Sequence, residues 1–167
     1  MRTAVIIALL LANSFINIYA QKELTNTTSL DYFVGKWQNK SVNQTTNEVT
    51  YGESLFYWGI GEKWLHWSFK MYGTKDTLEV LTLIRYNSDK KIVAFYSFNP
   101  VDEEPIPHFG NWIESDKLRI ETDFQGVYVR VDFSIINDKE FLQEHSKVND
   151  KDERVKTWNT YYNRIMD

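Results

Sequence analysis

The sequence predicts an all-β protein: a single antiparallel up-and-down β-barrel of about ten strands, with a short helical segment ahead of the first. Three observations carry this expectation. Clusters of Gly, Asn, Asp and Ser recur at short, fairly even intervals after residue 42. The runs between them are rich in Val, Ile, Thr, Tyr, Phe and Trp, the residues that suit a pleated, half-buried surface. Several of these runs alternate apolar and polar side chains with a period of two, the signature of a strand with one wet face.

Taken from the start, residues 1–20 stand apart. Arg2 supplies a positive charge, Ala4 to Ala12 is an unbroken apolar run, and Ala20 closes a more polar stretch. That is the layout of a cleaved secretory signal, which makes 21–167 the mature domain and gives an exported protein, periplasmic or secreted. The apolar run is well short of the ~20 residues a membrane helix needs, so no span is expected in the mature chain. Residues 28–34 are short enough for one or two helical turns, with Ser29 as N-cap and Gly35 as the stop.

Strands are expected at 36–42, 48–58, 63–72, 78–86, 91–98, 109–114, 117–124, 127–136, 140–148 and 154–165. In the eighth, Val127, Val129, Val131, Phe133 and Ile135 share one face and Tyr128, Arg130, Asp132 and Ser134 the other. In the third, Leu65, Trp67, Phe69 and Met71 oppose Lys63, His66, Ser68 and Lys70. In the seventh, Leu118, Ile120 and Phe124 oppose Arg119, Glu121 and Asp123. Gly52 is a candidate bulge in the second. Residues 99–108 hold all three prolines and an acidic run, and are expected to be an exposed rim loop. The turns are mostly two to five residues, which joins neighbours as hairpins, and closure removes the two edges an open sheet would leave.

Composition narrows the function. Nineteen basic against 23 acidic residues give a net charge of −4, which disfavours nucleic acid or an anionic membrane as partner. There is no cysteine, so stability comes from burial, for which 26 aromatic residues supply the area. The glycosylation-type triplets at Asn26, Asn39 and Asn43 read as incidental in an Asn- and Thr-rich chain.

Gly35-Lys-Trp37 at the start of the first strand resembles the opening motif of the calycin superfamily, the lipocalins and fatty-acid-binding proteins. Arg85-Tyr-Asn87, Phe95-Tyr-Ser-Phe98 and Tyr162-Asn-Arg164 resemble bacterial lipocalin-like barrel proteins of unknown function. The resemblance implies a small-molecule pocket, and a structural latch in which Arg164 packs over Trp37. A guanidinium on an indole face is worth about 0.5–2 kcal/mol.

The expected ligand is a small apolar or amphipathic molecule, bound by a monomer without chemical conversion. Trp67, Phe69, Met71, Tyr96, Phe98, Val129, Phe133 and Tyr162 are the candidate lining, and Arg85 the candidate partner for a ligand carboxylate. No metal or cofactor is expected. His66, His108 and His145 are far apart in sequence. Haem ligation by His145 would need that side chain to point into an apolar slot, whereas its neighbours Gln143 and Lys147 read as a polar surface face. Glu121 and Asp132 are expected to face water. Two other classes remain open. One is an enzyme drawing on His66, His145, Arg85 and a carboxylate, which requires two of them in one cavity. The other is a protein or glycan interaction module using exposed Trp64, Trp112 and the 99–108 loop.

Overall fold

The computed structural model describes residues 30–73, 77–100, 104–124, 126–149 and 151–166. The expected signal sequence and the start of the expected helical segment lie outside them. Within them, that segment amounts to one 3-10 turn, Asp31–Phe33. Ten strands follow: β1 Gly35–Asn43, β2 Val49–Trp58, β3 Leu65–Tyr72, β4 Thr77–Asn87, β5 Ile92–Phe98, β6 Ile106–Glu114, β7 Lys117–Phe124, β8 Val127–Asn137, β9 Glu140–Val148 and β10 Arg154–Arg164. Each pairs antiparallel with its sequence neighbours, and β1 pairs with β10, so the sheet is a closed barrel.

Two expectations about β2 and β6 are corrected. The β1–β2 and β2–β3 registers run through Gly52 without a shift, so there is no bulge at that glycine. Glycine is needed there for space, because a Cβ would collide with the Lys70 carbonyl and the Asn39 side chain. The register shifts lie instead in β6, β8 and β10. Strand β6 starts at Ile106, three residues earlier than expected, and takes in Pro107 and His108. Pro107 is tolerated because the first residues of β6 pair with β5 while the β7 ladder begins only at Phe109.

One end of the barrel is plugged by aromatic side chains. Phe141 lies 4.1 Å from Tyr162 in a stacked pair and 4.8 Å from Trp37 edge-on, and Phe33 meets both Phe56 and Phe141. Offset-stacked and edge-on rings add about 0.5–1.5 kcal/mol per pair beyond the area they bury. Trp112, expected on the surface, is half-buried and stacks on Phe33.

The seam between β1 and β10 is closed at this same end. Trp37 faces Arg164 in the ladder, and the guanidinium sits 4.1 Å from the indole centroid. Arg164 also donates to the Val34 carbonyl at 2.6 Å and the Asp138 carbonyl at 3.2 Å, and the Trp37 indole N–H donates to the Phe33 carbonyl. Gly35 makes this approach possible. Its φ of +129° is outside the range of ordinary L-residues, and a Cβ would press on the arginine Nη1.

A second tie runs across the outer wall. Asp132 was expected to face water, and the alternation does put it outside, but it is only 1% exposed. Arg119 covers it with two hydrogen bonds of 2.8 and 3.1 Å, and Arg154 reaches across β9 to it at 2.9 Å. Ser146, small and buried on the intervening strand, leaves the space for that reach. Lys117 stands 3.8 Å away. Glu121 is outside as expected and bonds Arg130, which also holds Asp152. Burial alone would raise the Asp132 pKa, but Arg119 and Arg154 outweigh it and hold the carboxyl below its ordinary value.

Two outcomes follow from these ties. Arg164→Ala removes the stacked cation and its carbonyl bonds, and is expected to lower unfolding free energy by about 1–3 kcal/mol in urea denaturation, with Arg164→Lys recovering only part. Because the folded-state pKa of Asp132 is depressed, its contribution is present above the ordinary aspartate range and is lost as pH falls through and below it. Asp132→Asn should therefore cost about 3 kcal/mol at neutral pH, with the gap to wild type narrowing below about pH 4.

Candidate functional site

The half of the barrel away from the aromatic plug holds a cavity of about 400 Å³. Its inner limit is set by Trp67, Phe95 and Phe133, all buried. Towards the other end, Met71, Val80, Thr122, Val129 and Trp158 line it and are partly exposed, so the cavity opens there. The C-terminal ends of β1, β3, β5, β7 and β9 and the starts of the strands that follow them lie at this mouth. Pro100, after β5, and Pro105, before β6, are thus near the rim, and residues 101–103 between them lie outside the described residues.

Five of the expected lining residues, Trp67, Phe69, Met71, Val129 and Phe133, face the cavity. Four do not. Tyr162 is inside the barrel but one layer lower, packed in the plug at 1% exposure. Tyr96 and Phe98 point outwards, and their neighbours Phe95 and Ser97 take the inner positions. The segment Phe95-Tyr-Ser-Phe98 carries a ring on each face, so alternation alone does not choose between them. Arg85 is also outside. Its guanidinium lies 5.5 Å from the Trp64 ring centroid, and Trp64 meets Tyr96 edge-on. Trp64 is half-buried by these contacts, and the outer wall beside it exposes Leu81, Phe98 and Phe109.

The expectation of a surface His145 is overturned. Phe141, Gln143 and His145 do share a face, but it is the interior one, and His145 lines the cavity. Opposite it in the ladders are Val131 of β8 and Trp158 of β10, so its surroundings are largely apolar. Burial, together with the nearby charge of His108, lowers its pKa to about 4, and the imidazole is neutral at physiological pH. His108 lines the cavity as well, and burial lowers its pKa too. His66 is on the outer wall against Tyr57 and Gly59. Among the described residues, no three His, Asp or Glu side chains converge as a metal-ligand set.

The polar side chains of the cavity were not anticipated, apart from His145 as a disfavoured haem ligand. Ser41 of β1 and Thr160 of β10 share a hydrogen bond of 2.9 Å across the seam. Gln143 accepts a 2.7 Å bond from the buried Tyr162 hydroxyl, which fixes its carboxamide. Below them, Ser54 accepts from both Asn39 and the Trp67 indole, which pins the ring at the cavity floor. Asn39 faces inwards, so its triplet is inaccessible to a glycan, and Asn43 caps the turn after β1 through its side-chain oxygen.

No protein-family model matches the chain, and no curated protein matches it. Solved structures do. The crystal structure of Rv2717c from M. tuberculosis aligns with a TM-score of 0.61 at 11% identity, over 83% of this chain and 96% of that one. A protein of unknown function from the DUF3598 family, NPUN_R4044 of Nostoc punctiforme PCC 73102, aligns with a TM-score of 0.55 at 13% identity. That match covers 81% of this chain and 48% of the other, so this chain spans about half of that protein. These likenesses show the fold alone, a closed antiparallel β-barrel.

The neutrality of His145 is directly measurable. Its Cε1–H resonance in an NMR titration is expected to keep its neutral-form shift through about pH 6 and to move only near pH 4. A midpoint at the ordinary histidine value of about 6.5 would mean the ring is solvated.

Proposed function

We propose that this protein is an exported carrier that binds one small lipophilic or mixed-polarity molecule inside its barrel and releases it unchanged. The observation that carries the reading is the cavity itself. It is about 400 Å³, walled mainly by apolar and aromatic side chains, and carries polar groups at Ser41, Gln143, His145 and Thr160, with Thr82, Ser97, His108 and Thr122 elsewhere around the wall. Sites for small molecules have this composition and this size, roughly 300–1,000 Å³. Export is supported by the charged, apolar and cleavable layout of residues 1–20. Of the side chains named for a catalytic reading, His145 faces the cavity, which His108 also lines, while His66 and Arg85 lie on the outer wall.

A second reading, iron–porphyrin binding through His145, is favoured by one observation. The imidazole is neutral, faces a largely apolar cavity and, among the described residues, makes no hydrogen bond to another side chain, which suits an axial ligand.

The test is native mass spectrometry of the protein from Gln21 onward, purified from its own host, with uptake of the neutral dye Nile red measured in parallel. A stoichiometric small molecule and a blue-shifted dye emission are expected. A clean apo mass with no dye uptake overturns the carrier reading. Titration with haemin separates the two readings: a sharp Soret band lost in His145→Ala identifies a porphyrin site, and an unchanged spectrum removes it.

A further inference from the structure

Among the described residues, the lining of the cavity contains no lysine, arginine or carboxylate. The arginines of the neighbouring strands face out: Arg85 is held by Trp64, Arg119 and Arg154 by Asp132, and Arg130 by Glu121 and Asp152. Lys147, opposite Val129 on the inward face of β9, is exposed at the mouth, one inward position beyond His145. What the lining offers is neutral hydrogen bonding, much of it on three adjacent strands. Ser41 of β1, Thr160 of β10, and Gln143 and His145 of β9 form one polar side, and the apolar side chains of β7 and β8 face the same space.

These groups have definite vacancies. The Gln143 oxygen is engaged by Tyr162, which leaves its amide N–H groups as donors. A neutral His145 has one donor and one acceptor nitrogen. The Ser41–Thr160 pair uses one hydroxyl proton, so the pair retains one donor and spare lone pairs.

We propose that the cavity takes an uncharged amphiphile, an apolar chain or ring system ending in a hydroxyl or carboxamide, and discriminates against the matching carboxylate. A hydroxyl both donates and accepts, and so completes a wall that offers both. A carboxylate accepts only, and would enter an apolar space with no fixed cation to offset its lost hydration. It would have to draw a proton onto His145. The groups facing that ring are Val131 on β8, Trp158 on β10 and, across the cavity, His108, none of which favours the charged form.

The inference rests on the carrier reading, and the experiment separates the two. Dodecan-1-ol and dodecanoate, each below its aggregation threshold, compete against Nile red in the protein from Gln21 at neutral pH. The alcohol is expected to displace the dye at least about tenfold more tightly than the carboxylate. Equal or tighter displacement by dodecanoate overturns the inference and leaves the carrier reading standing, whereas absence of dye uptake overturns the carrier reading itself. Gln143→Leu is expected to weaken the alcohol about fivefold more than it weakens the dye. An unchanged ratio of the two affinities in that variant overturns the placing of the polar head at Gln143. The wild-type ratio decides the proposal even if the variant fails to fold.

Discussion

Everything in this barrel depends on joining its first strand to its last. A ten-stranded antiparallel sheet left open would expose two full edges of unpaired backbone groups and could not exclude water from its concave face. The β1–β10 ladder removes both edges. Trp37 and Arg164 meet in that ladder, and the bonds from Arg164 to Val34 and Asp138 draw in the chain before β1 and the turn before β9. Gly35 is the condition for this contact, since a side chain there would occupy the arginine's space. Asp132 performs a comparable job on the outer wall, tying β7, β8 and β10 through one buried carboxylate.

The interior is divided along its axis by side-chain size. At the closed end, rings from the pre-β1 turn and from β1, β2, β9 and β10 meet and fill the lumen. At the open end many inward positions are small, among them Ser41, Val80, Ser97, Thr122 and Val129, and the larger Met71 and Trp158 do not fill the space between them, which is the cavity. The same fold therefore supplies a rigid floor and a vacant upper half from residues at alternate positions of the same strands. The floor is further fixed by polar contacts, with Trp67 held by Ser54 and Gln143 held by Tyr162.

Much of the architecture was legible in the sequence. Strand number, antiparallel order and most strand limits followed from turn chemistry and period-two alternation, and the Gly35-Lys-Trp37 resemblance pointed to the seam. The inner lining was legible wherever one face of a strand is apolar and the other charged, as at Trp67, Phe69 and Met71 or Val129 and Phe133. It was not legible where both faces are apolar, as in Phe95–Phe98. Nor was it legible where the inner face is polar, as in Gln143 and His145 of β9 or Ser41 of β1. A cavity lined in part by polar side chains places polar residues inside, which inverts the pattern that marks an interior. Asp132 shows the converse. Its position outside was readable, but part of its cover comes from Arg154, 22 residues later in the chain, and no local pattern reports that contact.

The hydrogen bond between Ser41 and Thr160 joins residues 119 positions apart in the chain. The contact comes late in assembly, because bringing such distant segments together costs more chain entropy than any hairpin in the molecule. It is also part of the cavity wall. On the proposed carrier reading, an occupant would touch both sides of that join and act as a rivet across it. Loading and the lifetime of the closed barrel would then be linked, the empty protein having the weaker seam and the filled one resisting opening where β1 and β10 meet.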